Sequence, residues 1–287
     1  MSSKSIILDF DGTIFNGIGF MPQFQQLISQ ISDCKLTIFT NNDQFSTKEL
    51  TDMIQSQIPH RLKSSITIIN PAKFITAHLK ELIRNQQIHA IYTLIQDKLF
   101  EELQENFQGS IKFYRAQDHD EISQQIAENI TLKNDVDAIL IGVDESEFNF
   151  CSISLAARYV LEKNAQFFVV GSDHQFLKAP NNFIPGPYAL STPVQHATSI
   201  NPIILGKPNI ESLNLLDDFQ NAIKGFEDIW VIGDGIETDL ELASSLNAKS
   251  IIVLTGVATI DDLNAYKKLK PTFVCNDLAE VANKLVH

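Results

Sequence analysis

Two carboxylates close the first apolar run of the chain. In Ile6-Ile7-Leu8-Asp9-Phe10-Asp11-Gly12-Thr13, Asp9 and Asp11 are neighbours but one. On a continuing strand such a pair leaves one face, roughly 6.6 Å apart. Gly12 permits a tight turn directly after them. A calcium loop would need its glycine later in the repeat. Two acids at the carboxyl end of a parallel strand stand where α/β folds bind ligands.

Three further clusters complement this pair. Thr37-Ile38-Phe39-Thr40-Asn41-Asn42 ends a second apolar run in a hydroxyl and two amides. Such groups, with backbone N–H donors leading into a helix, suit phosphate oxygens, although alone they read equally as turn chemistry. Leu205-Gly206-Lys207-Pro208 offers one lysine after a strand. Near Asp9 it would meet a phosphate as a point charge. Val231-Ile232-Gly233-Asp234-Gly235-Ile236-Glu237-Thr238-Asp239 sets one acid at a strand end and another within the following helical turns. A dinucleotide fingerprint fails here, because Thr238 replaces the third glycine and the next strand ends without an acid. Carboxylates gathered in this way suit an oxygen-ligated Mg²⁺.

The elements that must hold these residues are short runs rich in Ile, Val and Phe. Eleven can be read: Ile6–Phe10, Leu36–Thr40, Ile66–Ile69, Ala90–Ile95, Ile111–Tyr114, Ala138–Val143, Phe167–Val170, Ile203–Leu205, Ile229–Ile232, Ser250–Leu254 and Thr272–Cys275. Most are continuous rather than alternating, as for strands buried on both faces of a parallel sheet. Helical spacing lies between them, as in Leu215, Phe219, Ala222 and Phe226. Asn70-Pro71 reads as an N-cap and first-turn proline, and Lys207-Pro208 as the opening of another helix. The reading is α/β with crossover connections, split into two sheets. Breaks are expected near Asn70-Pro71 and in the proline-rich 179–202 stretch. Residues 73–200 then form an insertion between core segments 1–72 and 201–287.

Composition narrows the function. The chain has 287 residues, 22 Lys and Arg against 35 Asp and Glu, and a net charge of −13. That balance excludes the basic face needed for general nucleic-acid binding and opposes docking on anionic membranes. No apolar run has the length of a membrane span, and the run after Met1-Ser2-Ser3-Lys4 is too short for a signal peptide. Cys34, Cys151 and Cys275 are too far apart for a metal knuckle and read as three buried thiols of a cytoplasmic protein.

Taken in order, strand–DxDGT, strand–TNN, GKP and strand–GDGxxTD resemble the motifs of haloacid dehalogenase-like phosphatases. Ile141-Gly142-Val143-Asp144, the 168–173 stretch and Pro185-Gly186 resemble the cap of subclass IIA, the sugar-phosphate, phosphoglycolate and p-nitrophenyl phosphatases. The resemblance implies a Rossmann-like parallel-sheet core with a large inserted α/β cap domain. It implies a Mg²⁺-dependent phosphatase acting on a small phosphorylated metabolite through an aspartyl-phosphate. It makes Asp9 the nucleophile and Asp11 the acid/base, with Thr40 and Asn41 on the phosphoryl group and Lys207 beside Asp9. Gly12 and Asn42 belong to the same phosphate cradle, and His174 and Lys178 to the cap's specificity loop. Asp9, Asp234 and the Asp11 backbone carbonyl hold the metal, with Asp239 behind them orienting its waters. A homodimer through the cap is compatible with the subclass. A phosphotransferase or phosphomutase with the same nucleophile, and a phospholigand-binding protein with a degenerate site, remain as alternatives.

This chain departs from the family pattern in two places. Asp43 follows Asn42 where serine is usual, and is expected to turn outward or cap the following helix. Val170-Gly171-Ser172 stands where Ala-Thr-Asn is frequent.

Overall fold

The computed structural model describes residues 4–63, 65–119 and 130–286. The opening Met1-Ser2-Ser3, considered above as a possible leader, lies outside them. Six strands form a fully parallel first sheet: β1 (Lys4–Asp9), β2 (Lys35–Phe39), β3 (Ile66–Ile69), and, far along the chain, Asp228–Gly233, Lys249–Val253 and Phe273–Cys275. Between the halves runs a second parallel sheet of β4 (Ala90–Leu94), β5 (Lys112–Tyr114), β6 (Ala138–Ile141), β7 (Gln166–Val169) and Ile203–Ile204. An antiparallel hairpin, β8 (Gln175–Ala179) and β9 (Asn182–Pro185), follows β7. Ile203–Ile204 is then β10, and the last three strands of the first sheet are β11, β12 and β13.

The first sheet runs β13-β12-β11-β1-β2-β3 and the second β10-β7-β6-β4-β5. All eleven strands read from the sequence exist; central strands such as β1, β4 and β6 are buried on both faces, whereas the edge strands β5, β10 and β13 are partly exposed. In β1, Ile6 and Leu8 enter one apolar cluster and Ile7 the other. The second cluster also joins the sheets. Phe74, Ile75 and Leu79 of the helix Pro71–Arg84 pack with Ile7 and Phe39 from the first sheet and with Ile91 and Phe168 from the second. That helix begins as the sequence predicts, with the Asn70 side chain accepting from the Lys73 amide and Pro71 in the first turn.

Strand order reverses at β1: the chain proceeds to β2 on one side and to β11 on the other. Parallel register aligns Leu8 with Ile232 and Asp9 with Phe39, so the carboxyl ends of all three strands share one edge. This is the switch point at which open α/β sheets form a crevice.

Several local readings need correction. Lys207-Pro208 lies in a turn, not in a helix; the helix Ile210–Leu213 is capped by Asn209, whose side chain accepts from the Glu211 and Ser212 amides. The stripe from Leu215 to Phe226 outruns its helix, which spans Asp217–Ile223 and is followed by Gly225 at φ +82°. The proline-rich 179–202 stretch builds β9 and the helix Pro187–Thr198. Of the three thiols, all free, only Cys275 is buried; Cys34 and Cys151 are half-buried.

Candidate active site

The four motifs meet at the shared strand edge. Asp9, the last residue of β1, is 7% exposed and accepts from the Thr13 hydroxyl at 3.2 Å. Lys207, on the turn after β10, is buried and ion-pairs with both Asp9 and Asp239, the latter at 2.8 Å. Asp234 follows β11 and accepts from the Val257 amide at 2.6 Å. Asp239 lies in the wide helical turn Ile236–Leu240 and accepts from the Gly235 amide at 3.0 Å. Carboxylate oxygens of Asp9, Asp234 and Asp239 lie within 4.8 Å of one another. Asp239 thus lies beside Asp9 and Asp234 in the acidic cluster, with its two carboxylate oxygens bonded to Lys207 and to the Gly235 amide.

Asp11 is held apart from that cluster. The strand ends at Asp9, so the pair does not continue a strand face. The Asp11 carboxylate accepts from the Thr40 hydroxyl at 3.1 Å and from the Asn42 amide at 2.9 Å. Gly12 makes the turn between them at φ +72°. A Cβ there would stand 2.2 Å from Asp234 Oδ2, so only glycine lets the two strand ends close together.

Asn41 is occupied on every side. Its Nδ2 donates to Asp173 at 2.8 Å and to the Lys207 carbonyl at 3.2 Å, and its Oδ1 accepts from the Lys207 amide at 3.0 Å. The side chain thus ties the turn after β2 to the lysine turn and to the segment after β7. Ser172 reinforces this junction by donating to the Glu237 carbonyl at 3.2 Å.

Asp43 neither turns outward nor caps a helix. The next helix, Thr47–Gln57, is capped by Ser46 with Glu49. Asp43 is instead 2% exposed, and its Oδ2 accepts from the Val143 amide of the second sheet at 2.9 Å. A cavity of about 490 Å³ opens over the site, between the strand edge and the hairpin β8–β9. His174 lines it with its Nε2 3.0 Å from Glu237 and its ring 5.0 Å from that of Tyr188. Lys178 is not among the residues lining this cavity; it pairs with Glu145.

The sequence reading overlooked Asp173, Glu237 and the apolar wall supplied by Phe176 and Tyr266. Asp173 had a signal, an acid shortly after a buried strand in the manner of Asp9 and Asp234. The hairpin was masked because its strands are short and half-exposed.

Electrostatics define what the cluster lacks. Burial pushes Asp9 well up despite the opposing charge of Lys207, with Asp239 and Asp234 adding to the rise. Burial, then Asp239, raises Asp234 to about 7. For Lys207 burial acts downward, but Asp239 and Asp9 outweigh it and hold the ammonium charged. Burial raises Asp11 to about 6, against the hydrogen bonds from Asn42 and Thr40. Three gathered carboxylates thus face one lysine. This deficit of positive charge, in an all-oxygen donor set, fits a divalent cation of the Mg²⁺ type held by Asp9 and Asp234 with Asp239 alongside.

The chain is similar to known proteins in sequence and fold. Residues 204–281 match the family described as HAD-hydrolase-like. The acid sugar phosphatase of Staphylococcus saprophyticus is 24% identical over 98% of both chains. The 4-nitrophenylphosphatase of Schizosaccharomyces pombe is 24% identical over 96% of this chain and 92% of its own. Among solved structures, a hypothetical protein of Pyrococcus horikoshii superposes with a TM-score of 0.75 over 99% of both chains at 22% identity. A glycerol phosphate phosphatase of Mycobacterium tuberculosis, solved with magnesium, superposes with a TM-score of 0.70 at 22% identity, over 96% of this chain and 76% of its own. Among the described residues, no helix is long and apolar enough to cross a membrane. The chain is thus similar over nearly its whole length to proteins named as phosphatases, shares their fold, and carries the HAD-hydrolase-like pattern over residues 204–281.

Proposed function

We propose that this chain is a Mg²⁺-dependent phosphatase that hydrolyses a small phosphate monoester through an aspartyl-phosphate on Asp9. The observation that carries the reading is the setting of Asp9: a buried carboxylate paired with Lys207, beside Asp234, with Asp11 anchored one turn away. A carboxylate oxygen of Asp9 attacks phosphorus, and the bond from phosphorus to the ester oxygen breaks. Asp11 gives its proton to the departing alkoxide. Its rise to about 6 supports that role by keeping a proton available near neutral pH. Water then attacks the phosphorus of the aspartyl-phosphate, Asp11 takes a proton from it, and Asp9 is freed as a carboxylate with inorganic phosphate.

Lys207 neutralises Asp9 and meets the phosphate oxygens, with Thr40 and the backbone N–H groups of the turn after β2 alongside. Asn41 acts by holding the lysine turn in register, since its own polar atoms are already bonded. A cation at the acidic cluster supplies positive charge that offsets the negative charge of the incoming ester. Residues 73–200, whose sheet β10 (Ile203–Ile204) completes, are assigned as the cap that covers the site and excludes water during transfer. Three free thiols support a cytoplasmic setting.

The deciding experiment is rapid quench with ³²P-labelled ester and Mg²⁺. A phosphorylated protein that forms and decays at the rate of phosphate release, and is absent from Asp9→Asn, supports the reading. Release without any phosphorylated protein opposes it. Transfer to an added alcohol in preference to water would make the chain a phosphotransferase.

A further inference from the structure

The walls of the cavity carry information about the alcohol that is released. Besides Asp9, Asp11, Asp234 and Asp239, the cavity is lined by Asp43, Asp173, Glu237 and Asp262. Its cationic or ionisable basic side chains, among the described residues, are Lys207 and His174. Neither is free. Lys207 is 2% exposed and bound by Asp9 and Asp239, and His174 is held by Glu237. Lys178, on the neighbouring strand β8, is taken by Glu145. Arginine, the residue best shaped to grip a second carboxylate or phosphate, does not occur in this wall.

Part of the remaining lining is apolar. Phe176 and Leu177 of the hairpin line the cavity together with Ile236, Val257 and Tyr266. The Tyr266 hydroxyl is itself committed to Glu241. An anionic leaving group entering this space would lose hydration and meet Glu237 and Asp262 without a free cation to receive it. A neutral or cationic group would lose nothing to repulsion, and a hydrocarbon face on it would gain by covering these side chains.

We propose that the substrate is the monophosphate ester of an uncharged or cationic alcohol with an apolar or aromatic face, and that phosphate esters bearing a second anionic group are rejected. This rests on the phosphatase reading above and adds the chemical class of the leaving group. It separates the chain from any phosphatase of phosphorylated carboxylic acids or bisphosphates.

Three esters of matched size test it: benzyl phosphate, 4-(aminomethyl)benzyl phosphate and 4-carboxybenzyl phosphate. At low ionic strength, where surface charges are least screened, kcat/KM for the first two should exceed that for the carboxylate at least tenfold. In the double variant Glu237→Gln, Asp262→Asn, the ratio of anionic to neutral ester should rise several-fold. Phe176→Ala should raise KM for benzyl phosphate more than KM for glycerol 3-phosphate. Equal kcat/KM for the three benzyl esters, or an unchanged ratio in the double variant, overturns the proposal. Binding of the same esters to Asp9→Asn by calorimetry gives a readout without turnover, and there too equal affinity for the anionic ester overturns it. Failure of the wild type to turn over any ester, including p-nitrophenyl phosphate, removes the phosphatase reading, while the calorimetric order still judges the charge of the ligand.

Discussion

Asp43 Oδ2 accepts a 2.9 Å hydrogen bond from the amide of Val143, joining the turn after β2 to the end of β6 in the other sheet. The approach is so close that a Cβ on Gly142 would lie 2.3 Å from that same oxygen. A buried acid is thus a fastener between the two sheets, and glycine is the residue that admits it. Burial, with Asp144 and Asp173 nearby, raises Asp43 from 3.8 to about 7.

That rise has a pH consequence. The folded protein keeps a proton on Asp43 that the unfolded chain releases above about pH 4. The stabilisation linked to this proton is full below 3.8 and is lost as pH rises through about 7. Asp43→Asn keeps an oxygen for the Val143 amide and does not titrate. Relative to the wild type, the variant should therefore gain stability from pH 5 to pH 8, by on the order of a few kcal/mol. Urea melts of both proteins across that range check this; parallel curves would show that Asp43 keeps an ordinary pKa.

Asp9→Asn should reduce turnover by about a thousandfold, because an amide cannot form the acyl-phosphate. Its fold should survive, since the side chains are nearly equal in size and one buried charge is removed. Steady-state rates and a thermal melt on the same preparation separate the two effects. Turnover above a tenth of the wild-type rate would remove Asp9 from the nucleophile's place.

Metal removal should lower both rate and melting temperature. Without a metal, Asp9, Asp234 and Asp239 have only Lys207 to offset their mutual repulsion, and ligand binding to the folded state adds about 2.7 kcal/mol at a hundredfold excess over Kd. Differential scanning fluorimetry after exhaustive chelation, then with added Mg²⁺, reads this without any substrate. An unchanged melting temperature throughout would argue that the cluster holds no metal.

Asn41→Ala removes three hydrogen bonds at once and leaves polar atoms of Asp173 and Lys207 with fewer partners. The expected cost is about 2–4 kcal/mol in stability. Turnover should fall as well, because the lysine turn loses its register. Asn41→Asp is the informative companion: it can still accept from the Lys207 amide but places a carboxylate against Asp173. It should be worse than alanine in stability measured by urea denaturation.

The parts of this fold that were legible in the sequence are those where one physical cause acts alone. Burial on both faces writes β1, β2 and β11 as unbroken apolar runs, and an acid or hydroxyl at their ends stands out against them. The hairpin β8–β9 escaped because Gln175–Ala179 and Asn182–Pro185 are half-exposed, so their composition is that of a loop. Asn181 at φ +61° was the available turn signal. Lys207-Pro208 was misread as a helix start because proline favours a first turn; Asp9 and Asp239 instead draw the lysine into the site before Asn209 caps the helix. Asp43 and the full occupation of Asn41 depend on partners about a hundred residues or more away, on Val143, Asp173 and Lys207. No local pattern encodes such pairs.

The strand order has a consequence for synthesis. β1 lies between β2 and β11, and its pairing of Lys4 with Asp228 must wait until most of the chain has left the ribosome. The second sheet draws all its strands from one uninterrupted stretch, Ala90 to Ile204, and can close while the first sheet still has three of its six strands. Until β11 arrives, the edge of β1 is an unpaired parallel template and Asp9 stands at an open margin, so assembly of the catalytic edge is the slow, long-range event. Nascent chains stalled before residue 228 should therefore hold a closed second sheet beside an incomplete, association-prone first one.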